Sequence, residues 1–273
     1  MSDAFQRTWR GPIKAVVFDW AGTTVDFGCC APAGVFVEVF RRRGVAVPMA
    51  RAREPMGTHK RTHLEILAAM PEVASGWQAK HGRAIEKADL DALYHELIEL
   101  QLAVLPDYAD PIPGALDAVA ALRARGIAIG STTGYIPEML AVLREAAAVK
   151  GYAPDCAISA GEVPEGRPAP YLIFEAMSRL GVWPVQAVVK VGDTVSDIEA
   201  GLNAGVWSVG IAVTGNAVGL SEAEWKATPP ADQAALTAKA RASLAAVGAH
   251  YVIDTPAEVP ALIEAIEARL RAG

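Results

Sequence analysis

The chemistry of this sequence is concentrated where short apolar runs end in acidic side chains. The run Val16–Phe18 leads directly into Asp19 and a Gly-Thr-Thr turn, and a second run, Ala187–Val189, is followed by Asp193 and, four residues later, Asp197. Such runs are typical of buried parallel strands, and ligands bind at the carboxyl ends of those strands. A lone aspartate in this position is more often a turn or N-cap residue, so its companions decide the interpretation.

A hydroxyl group and a cation accompany these carboxylates. Thr133 lies in the stretch Gly-Ser-Thr-Thr-Gly-Tyr, which ends at Tyr135 and follows another apolar run, and Arg167 precedes a proline. Taken singly, Thr133 is a plain turn residue and Arg167 a surface-loop residue. A carboxylate, a hydroxyl, a cation and an acidic pair at neighbouring strand ends together indicate a site for a phosphoryl-like group and a metal ion.

Lys60 offers the chemistry of an amine. It follows Gly57-Thr58, a plausible helix start, and lies three residues before His63 on one predicted helical face. A helix N-terminus and neighbouring cations both lower the pKa of an amine, and a neutral amine can attack a carbonyl group to form a Schiff base. The alternative is a lysine on a solvated helix face.

Alternating helices and strands must position these groups. We predict strands at residues 13–19, 127–131, 156–159, 187–192, 207–213 and 251–254, and helices at 114–125, 137–149, 169–180, 195–204 and 257–271. Residues 1–12 are predicted to be an irregular lead-in, and residues 214–249 an excursion with a helical second half. The alternation predicts an α/β fold with a doubly wound, Rossmann-like parallel sheet.

The interval between the first two strands is far longer than the roughly 30 residues of a βαβ unit. Within it, apolar residues at helical spacing predict helices around residues 35–40, 64–68 and 90–104. We therefore predict an α-helical cap domain at residues 27–110, inserted into a core of residues 1–26 and 111–273. A cap in this position can close over the site.

Charge and hydropathy exclude several classes of partner. The chain has 273 residues and a formal net charge of −6, without a basic run, which argues against nucleic acid or an anionic membrane as the main partner. No apolar stretch is long enough to span a bilayer, and the polar start Met1-Ser2-Asp3 has no signal-peptide core. A cytoplasmic enzyme acting on a small molecule is the expectation.

The four blocks around Asp19, Thr133, Arg167 and Asp193 resemble, in type and order, the core motifs of the haloacid dehalogenase superfamily. This resemblance implies that Asp19 is the nucleophile and that Mg²⁺ is held by Asp19, the carbonyl of Ala21 and Asp193, with Asp197 as a further ligand or as a partner of the ligands. It also implies that Thr133 and Arg167 bind the phosphoryl group. Phosphatases of the superfamily carry a second acid where this chain has Ala21, so ordinary phosphomonoesterase activity is doubtful.

Ala21 and Lys60 together make this chain resemble one particular family within the superfamily. The strings Asp-Trp-Ala-Gly-Thr-Thr-Val-Asp and Pro-Met-Gly-x-x-Lys-x-x-His look like those of the phosphonatase family, whose members cleave the carbon–phosphorus bond of phosphonoacetaldehyde. The implied mechanism uses a Lys60 Schiff base and an Asp19 aspartyl phosphate. By the same resemblance His63 and Tyr135 move or orient protons, Cys29 and Met56 line the substrate pocket, and the chain forms a homodimer through its cap.

Two other functions remain open on the sequence alone. The first is a Mg²⁺-dependent phosphatase or a haloacid dehalogenase without the second acid; dehalogenation needs no Mg²⁺, so Asp193 and Asp197 count against that variant. The second is a non-catalytic module that binds a phosphorylated metabolite, which would form no covalent adduct at Lys60.

Overall fold

The computed structural model describes residues 9–272. Residues 9–14 are irregular, and the rest of the predicted lead-in, residues 1–8, lies outside the described residues. The strands are β1 Ala15–Phe18, β2 Ala128–Thr133, β3 Cys156–Ser159, β4 Val188–Gly192, β5 Trp207–Ile211 and β6 Tyr251–Ile253. The helices are α1 Cys30–Arg42, α2 Met49–Ala52, α3 Lys60–Ala69, α4 Pro71–His81, α5 Lys87–Val104, α6 Ala115–Ala124, α7 Pro137–Val149, α8 Tyr171–Leu180, α9 Val195–Ala204, α10 Glu222–Ala227, α11 Pro230–Ala246 and α12 Val259–Ala272.

The strands form one parallel sheet with β1 near its centre. The strand order is β3-β2-β1-β4-β5-β6, and Phe18 at the end of β1 pairs with Ser131 of β2 and Val191 of β4. The direction of connection reverses at β1, since the chain proceeds to β2 and β3 on one side and to β4, β5 and β6 on the other. Asp19 therefore emerges at the switch point, where crevices open at the carboxyl ends of the strands.

Helices cover both faces of this sheet. Successive side chains of a strand point to opposite faces, so Val16 and Phe18 of β1 join the larger hydrophobic core, and Ala15 and Val17 join a second one with α8 and α9. Burial on both faces explains why β1 has a continuous apolar sequence and why the apolar sequence of β4 is interrupted only by Lys190. The predicted α/β, doubly wound, Rossmann-like class is confirmed.

The long interval between β1 and β2 is helical, as predicted. It contains α1 to α6, of which α1 to α5 lie within residues 27–110, and α1 packs along α5. Two short or weakly patterned helices, α2 and α4, did not stand out in the sequence; α4 buries only Val73 and Trp77, so its apolar stripe is thin. The predicted start of α3 was wrong by two residues, because His59 is its N-cap and the His59 side chain accepts a hydrogen bond from the Arg61 amide.

The excursion after β5 contains the two helices α10 and α11, so its second half is helical as expected. Within residues 9–272, no helix is both long and apolar enough to cross a membrane.

Leu122 and Leu116 on α6 give a matched test of the core packing. Leu122 is fully buried, whereas Leu116 is 37% exposed. We expect Leu122→Ala to lower the free energy of unfolding by about 2–5 kcal/mol, because the substitution leaves a cavity. Leu116→Ala should lower it by less than about 1 kcal/mol, because little buried surface is lost. Urea denaturation of both variants measures the difference, and equal losses would contradict the described packing.

Candidate active site

One pocket lies between the carboxyl ends of the central strands and the loop that precedes α3. Eight residues singled out in the sequence line it: Asp19, Ala21, Cys29, Met56, Lys60, Thr133, Tyr135 and Arg167. Pro32, Gly57, Thr58, Gly134 and Thr194 complete the lining. The core and the helical insertion, which is the segment that contains α1 to α5, therefore both contribute side chains to a single cavity.

Arg167 holds the Asp19 carboxylate at the bottom of this pocket. Its Nη2 lies 2.6 Å from Asp19 Oδ1 and also donates to the carbonyl and the hydroxyl of Thr132, at 2.7 and 2.9 Å. Burial raises the pKa of Asp19, and the positive charge of Arg167 opposes that rise. The guanidinium therefore favours the ionised form of the carboxylate, which is the form that can act as a nucleophile.

Asp197 lies between two buried cations. Its Oδ1 is 2.9 Å from Arg167 Nη1 and 2.7 Å from Lys190 Nζ, and its Oδ2 accepts a hydrogen bond from the Thr194 hydroxyl at 2.6 Å. Burial acts to raise the pKa of Asp197, but Arg167 and Lys190 outweigh it and bring the pKa below its ordinary value. With these partners, Asp197 aims Arg167 at Asp19 and is less available than Asp193 for a metal ion.

Lys190 was not singled out in the sequence. It lies in the middle of β4 with 1% of its surface exposed, and its Nζ also donates to the Val191 carbonyl at 3.0 Å. The signal was present, because a lysine inside an apolar parallel strand needs a buried anionic partner. That partner is Asp197, seven residues further along the chain.

Asp193 completes a cluster of carboxylates that fits a hard divalent cation. Oxygen atoms of Asp19, Asp193 and Asp197 lie within 4.8 Å of one another, and all three residues are buried. Burial raises the pKa of Asp193 well above its ordinary value, and the charges of Asp19 and Asp197 raise it further. Arg167 and Lys190 contact Asp19 and Asp197 but not Asp193, so a bound cation would supply the positive charge that Asp193 lacks. An oxygen-only ligand set of this kind is the one that Mg²⁺ prefers.

Lys60 reaches the pocket from the opposite side. It is the first residue of α3, is 4% exposed, and its Nζ lies 4.6 Å from the centre of the Tyr135 ring and 5.3 Å from that of Phe36. Burial lowers the pKa of Lys60 to about 8, although Cys29 and Asp19 act in the opposite direction. A substantial fraction of the amine is therefore neutral, and nucleophilic, near physiological pH.

Thr133 and Tyr135 present hydroxyl groups to the pocket. The Thr133 oxygen accepts a hydrogen bond from the Tyr135 amide at 3.2 Å, which leaves the Thr133 hydroxyl hydrogen free to be donated. Burial raises the pKa of Tyr135 well above its ordinary value, so its phenol stays protonated. Both groups can donate a hydrogen bond to an anionic ligand.

Cys29 and Met56 form an apolar wall. Together with Ala21 and Ala33 they make a small buried cluster. Burial raises the pKa of the Cys29 thiol well above its ordinary value, so this side chain is a neutral pocket surface rather than a thiolate nucleophile.

His63 does not line the pocket with the other predicted residues. It stacks on Phe36 at 3.6 Å between ring centroids, and its Nε2 lies 2.9 Å from the Ala52 carbonyl. Burial lowers the pKa of His63 to about 3, so the ring is neutral. A carbonyl group only accepts hydrogen bonds, so Nε2 carries the hydrogen and Nδ1 is an acceptor. Within residues 9–272, Nδ1 has no hydrogen-bond partner.

Two glycines allow the loop before α3 to enter the core. A Cβ on Gly134 would lie 2.9 Å from the Gly57 carbonyl oxygen and 3.0 Å from that of Thr58. Gly57 has a φ of 87°, and a Cβ there would collide with the Thr194 and Ser196 hydroxyls. The loop therefore lies wedged between the ends of β2 and β4, and this contact brings Lys60 toward Asp19.

Comparison with known proteins identifies the family of this chain. A haloacid dehalogenase-like hydrolase family model matches residues 13–205. Phosphonoacetaldehyde hydrolase from Nitratidesulfovibrio vulgaris is 47% identical over 98% of this chain and 95% of its own length, and that from Paraburkholderia phytofirmans is 46% identical over 96% and 98%. The chain belongs to the phosphonoacetaldehyde hydrolase family of haloacid dehalogenase-like hydrolases.

A solved structure extends this family assignment to the fold. The crystal structure of a phosphonoacetaldehyde hydrolase-like protein from Oleispira antarctica matches 98% of each chain with a TM-score of 0.95 and 37% sequence identity.

The reactivity of Lys60 should depend on pH in a characteristic way. Below about pH 8 the amine is protonated and unreactive, and above that pH it is neutral. The rate of reductive alkylation of Lys60 by acetaldehyde and cyanoborohydride should therefore rise up to about pH 8 and then level off, as followed by peptide mass spectrometry. An ordinary lysine has a pKa of about 10.4. An alkylation rate of Lys60 that keeps rising beyond pH 9.5 would therefore contradict the buried environment of this side chain.

Proposed function

We propose that this protein hydrolyses the carbon–phosphorus bond of phosphonoacetaldehyde to give acetaldehyde and phosphate. The observation that carries the proposal is that a buried amine, Lys60, and a buried carboxylate, Asp19, line the same pocket. The amine can add to an aldehyde, and the carboxylate can accept a phosphoryl group. Ala21, where a phosphatase would have an acid, supports a leaving group that needs no proton from that position.

The Lys60 amine prepares the leaving group. Its neutral form adds to the aldehyde carbon of the substrate, and loss of water leaves a protonated imine. When the carbon–phosphorus bond breaks, its electron pair moves into the imine and forms an enamine. A free carbanion would be a very poor leaving group, so this electron sink is the main contribution of the helical insertion to catalysis.

The Asp19 carboxylate receives the phosphoryl group and forms an aspartyl phosphate. Arg167, already 2.6 Å from Asp19, lowers the repulsion between the carboxylate and the phosphonate oxygens. Water then hydrolyses the aspartyl phosphate to release phosphate. The enamine takes up a proton, and hydrolysis of the resulting imine releases acetaldehyde and restores Lys60.

Mg²⁺ fits the proposed site as a cofactor held by Asp19, the Ala21 carbonyl and Asp193, with Asp197 as a further ligand or as the residue that orients Arg167. When bound, it would neutralise negative charge on the carboxylates and the phosphoryl group. Thr133 donates a hydrogen bond to a phosphoryl oxygen, and Cys29 and Met56 shape the space around the two-carbon chain.

Tyr135 and His63 have more local roles in the proposal. The protonated phenol of Tyr135 is close to Lys60 and can donate to the oxygen that leaves during imine formation. His63 stacks on Phe36 and orients the start of α3, and its unpartnered Nδ1 is a hydrogen-bond acceptor rather than a base, because the pKa of the ring is about 3.

We also propose an organisation for the chain as a whole. Residues 27–110 act as a cap domain over a core of residues 1–26 and 111–273, and the protein is cytoplasmic. A homodimer formed through the cap is supported by a groove between α1 and α5, which has apolar side chains from both helices.

Three substrates and two lysine variants test the function. Phosphate or chloride release should be measured from phosphonoacetaldehyde, p-nitrophenyl phosphate and 2-chloropropionate, with phosphonoacetaldehyde strongly preferred. Lys60→Ala and Lys60→Arg should each lose more than about 10³-fold of phosphonoacetaldehyde turnover, because neither side chain can form the imine. Lys226→Ala, on the exposed side of α10, is the control and should keep its activity.

Borohydride added during turnover distinguishes the proposal from simple binding. The wild-type protein should gain a reduced adduct at Lys60, and Lys60→Ala should gain none. Preference for either of the other two substrates, or the absence of any adduct in the wild-type protein, would overturn the proposed function.

A further inference from the structure

Arg53 follows α2 in the helical insertion, and its guanidinium donates hydrogen bonds to backbone carbonyls of both the insertion and the core. Its Nη1 donates to the carbonyls of Gly28 and Cys29 at 2.7 and 3.2 Å, and its Nη2 donates to the Gly219 carbonyl at 2.9 Å. Gly219 belongs to the excursion after β5, so the last bond joins the insertion to the core. A Cβ on Gly219 would lie 2.8 Å from Arg53 Nε, which shows how closely the two segments approach.

The Asn216 side chain both accepts a hydrogen bond from Arg53 and donates one to it. Its side-chain oxygen accepts from Arg53 Nη1 at 3.2 Å, and its side-chain nitrogen donates to the Arg53 carbonyl at 3.0 Å. The Asn216 backbone amide also donates to Asp193 Oδ2 at 2.7 Å. The same residue therefore touches the insertion with its side chain and a site carboxylate with its backbone.

A chain of turns connects this contact to Lys60. The Met56 amide donates to the Arg53 carbonyl at 3.2 Å, and the Thr58 amide and hydroxyl both donate to the Pro55 carbonyl, at 3.3 and 2.7 Å. Lys60 begins α3 only two residues later. The segment is too constrained by these bonds for Lys60 to keep its position if Arg53 moves away from the core.

The partners of Arg53 suit a contact that can open. In the described part of the chain, Arg53 has no carboxylate within ion-pairing distance, and its hydrogen bonds go to carbonyls, the Asn216 amide and, at 3.9 Å, the Cys30 sulfur. Releasing it therefore leaves no buried carboxylate unpaired, which would be the main cost of breaking a buried ion pair. Water can replace these acceptors when the helical insertion swings away.

We propose that Arg53 and Asn216 form a latch that holds the helical insertion closed on the core and thereby positions Lys60 over Asp19. This inference rests on the proposed function, because it gives the latch the task of bringing the amine to the aldehyde. Arg53 and Asn216 are positioning residues, since neither lines the pocket.

Two measurements with opposite expected signs test the latch in the full-length protein. In Arg53→Met and Asn216→Ala, labelling of Lys60 by the bulky reagent trinitrobenzenesulfonate should rise about 10-fold, because the amine spends more time in an open state. The borohydride-trapped phosphonoacetaldehyde adduct at Lys60 should fall by a similar factor. Arg53→Lys keeps one charged donor and should recover part of both effects.

Two controls separate the latch from a general loss of stability. Lys190 is equally buried but lies in β4, so its labelling should stay low in latch variants and rise only if the whole protein opens. Arg241→Met removes bonds to Asp254 and the Val252 carbonyl, away from the insertion, and should leave Lys60 labelling and trapping unchanged. Asn216→Ala is the milder variant and keeps the test valid if Arg53→Met does not fold.

The outcomes separate the two proposals. Unchanged Lys60 labelling in both latch variants, or parallel increases at Lys60 and Lys190, would overturn the latch while leaving the proposed function intact, provided that the wild-type protein forms the adduct. Failure of the wild-type protein to form any adduct would instead overturn the proposed function on which the latch rests.

Discussion

The site depends on one buried guanidinium that serves two carboxylates. Arg167 is almost fully inaccessible to solvent and contacts Asp19 with one nitrogen and Asp197 with the other. Neither carboxylate could remain ionised at this depth without a cation, because desolvation favours the neutral acid. Lys190 supplies a second cation to Asp197, so Asp19 lies at the end of a series of alternating charges that begins inside the central sheet. A lysine in place of Arg167 could not bridge both carboxylates with the same planar geometry.

The surroundings of Asp19 and Lys60 favour different charge states within one cavity. Around Asp19 the surrounding positive charge favours a negative carboxylate, whereas around Lys60 the apolar and aromatic surroundings favour a neutral amine. Both effects weaken if water enters, so both charge states depend on the helical insertion being closed against the core, as it is in this structure. The close approach of Gly57 and Gly134 makes that closure sterically possible. The sheet edge thus carries Asp19 and Arg167, and the helical insertion carries Lys60.

Most of the sheet and much of the pocket were predictable because the information is local. Apolar runs ending in Asp19 and Asp193 identify strand ends, and parallel strands bring those ends to one edge. Lys190 was missed although its place inside an apolar strand was a usable signal. His63 follows helical spacing from Lys60 but packs behind Phe36, since spacing gives a shared face and not a shared cavity. The contact of Arg53 with residues more than 160 positions away leaves no local pattern, so it required coordinates.

The central claim is that Lys60 holds the carbon end of the substrate while Asp19 faces the phosphorus. The most direct test uses the Asp19→Ala variant, in which the carbon–phosphorus bond should survive. The complex of this variant with phosphonoacetaldehyde is reduced with borohydride, and its crystal structure is then determined. The account predicts a phosphonoethyl group bonded to Lys60 Nζ, with its phosphonate beside Arg167 and position 19. A phosphonate directed away from Arg167, or an adduct on any other lysine with Lys60 unmodified, would contradict it.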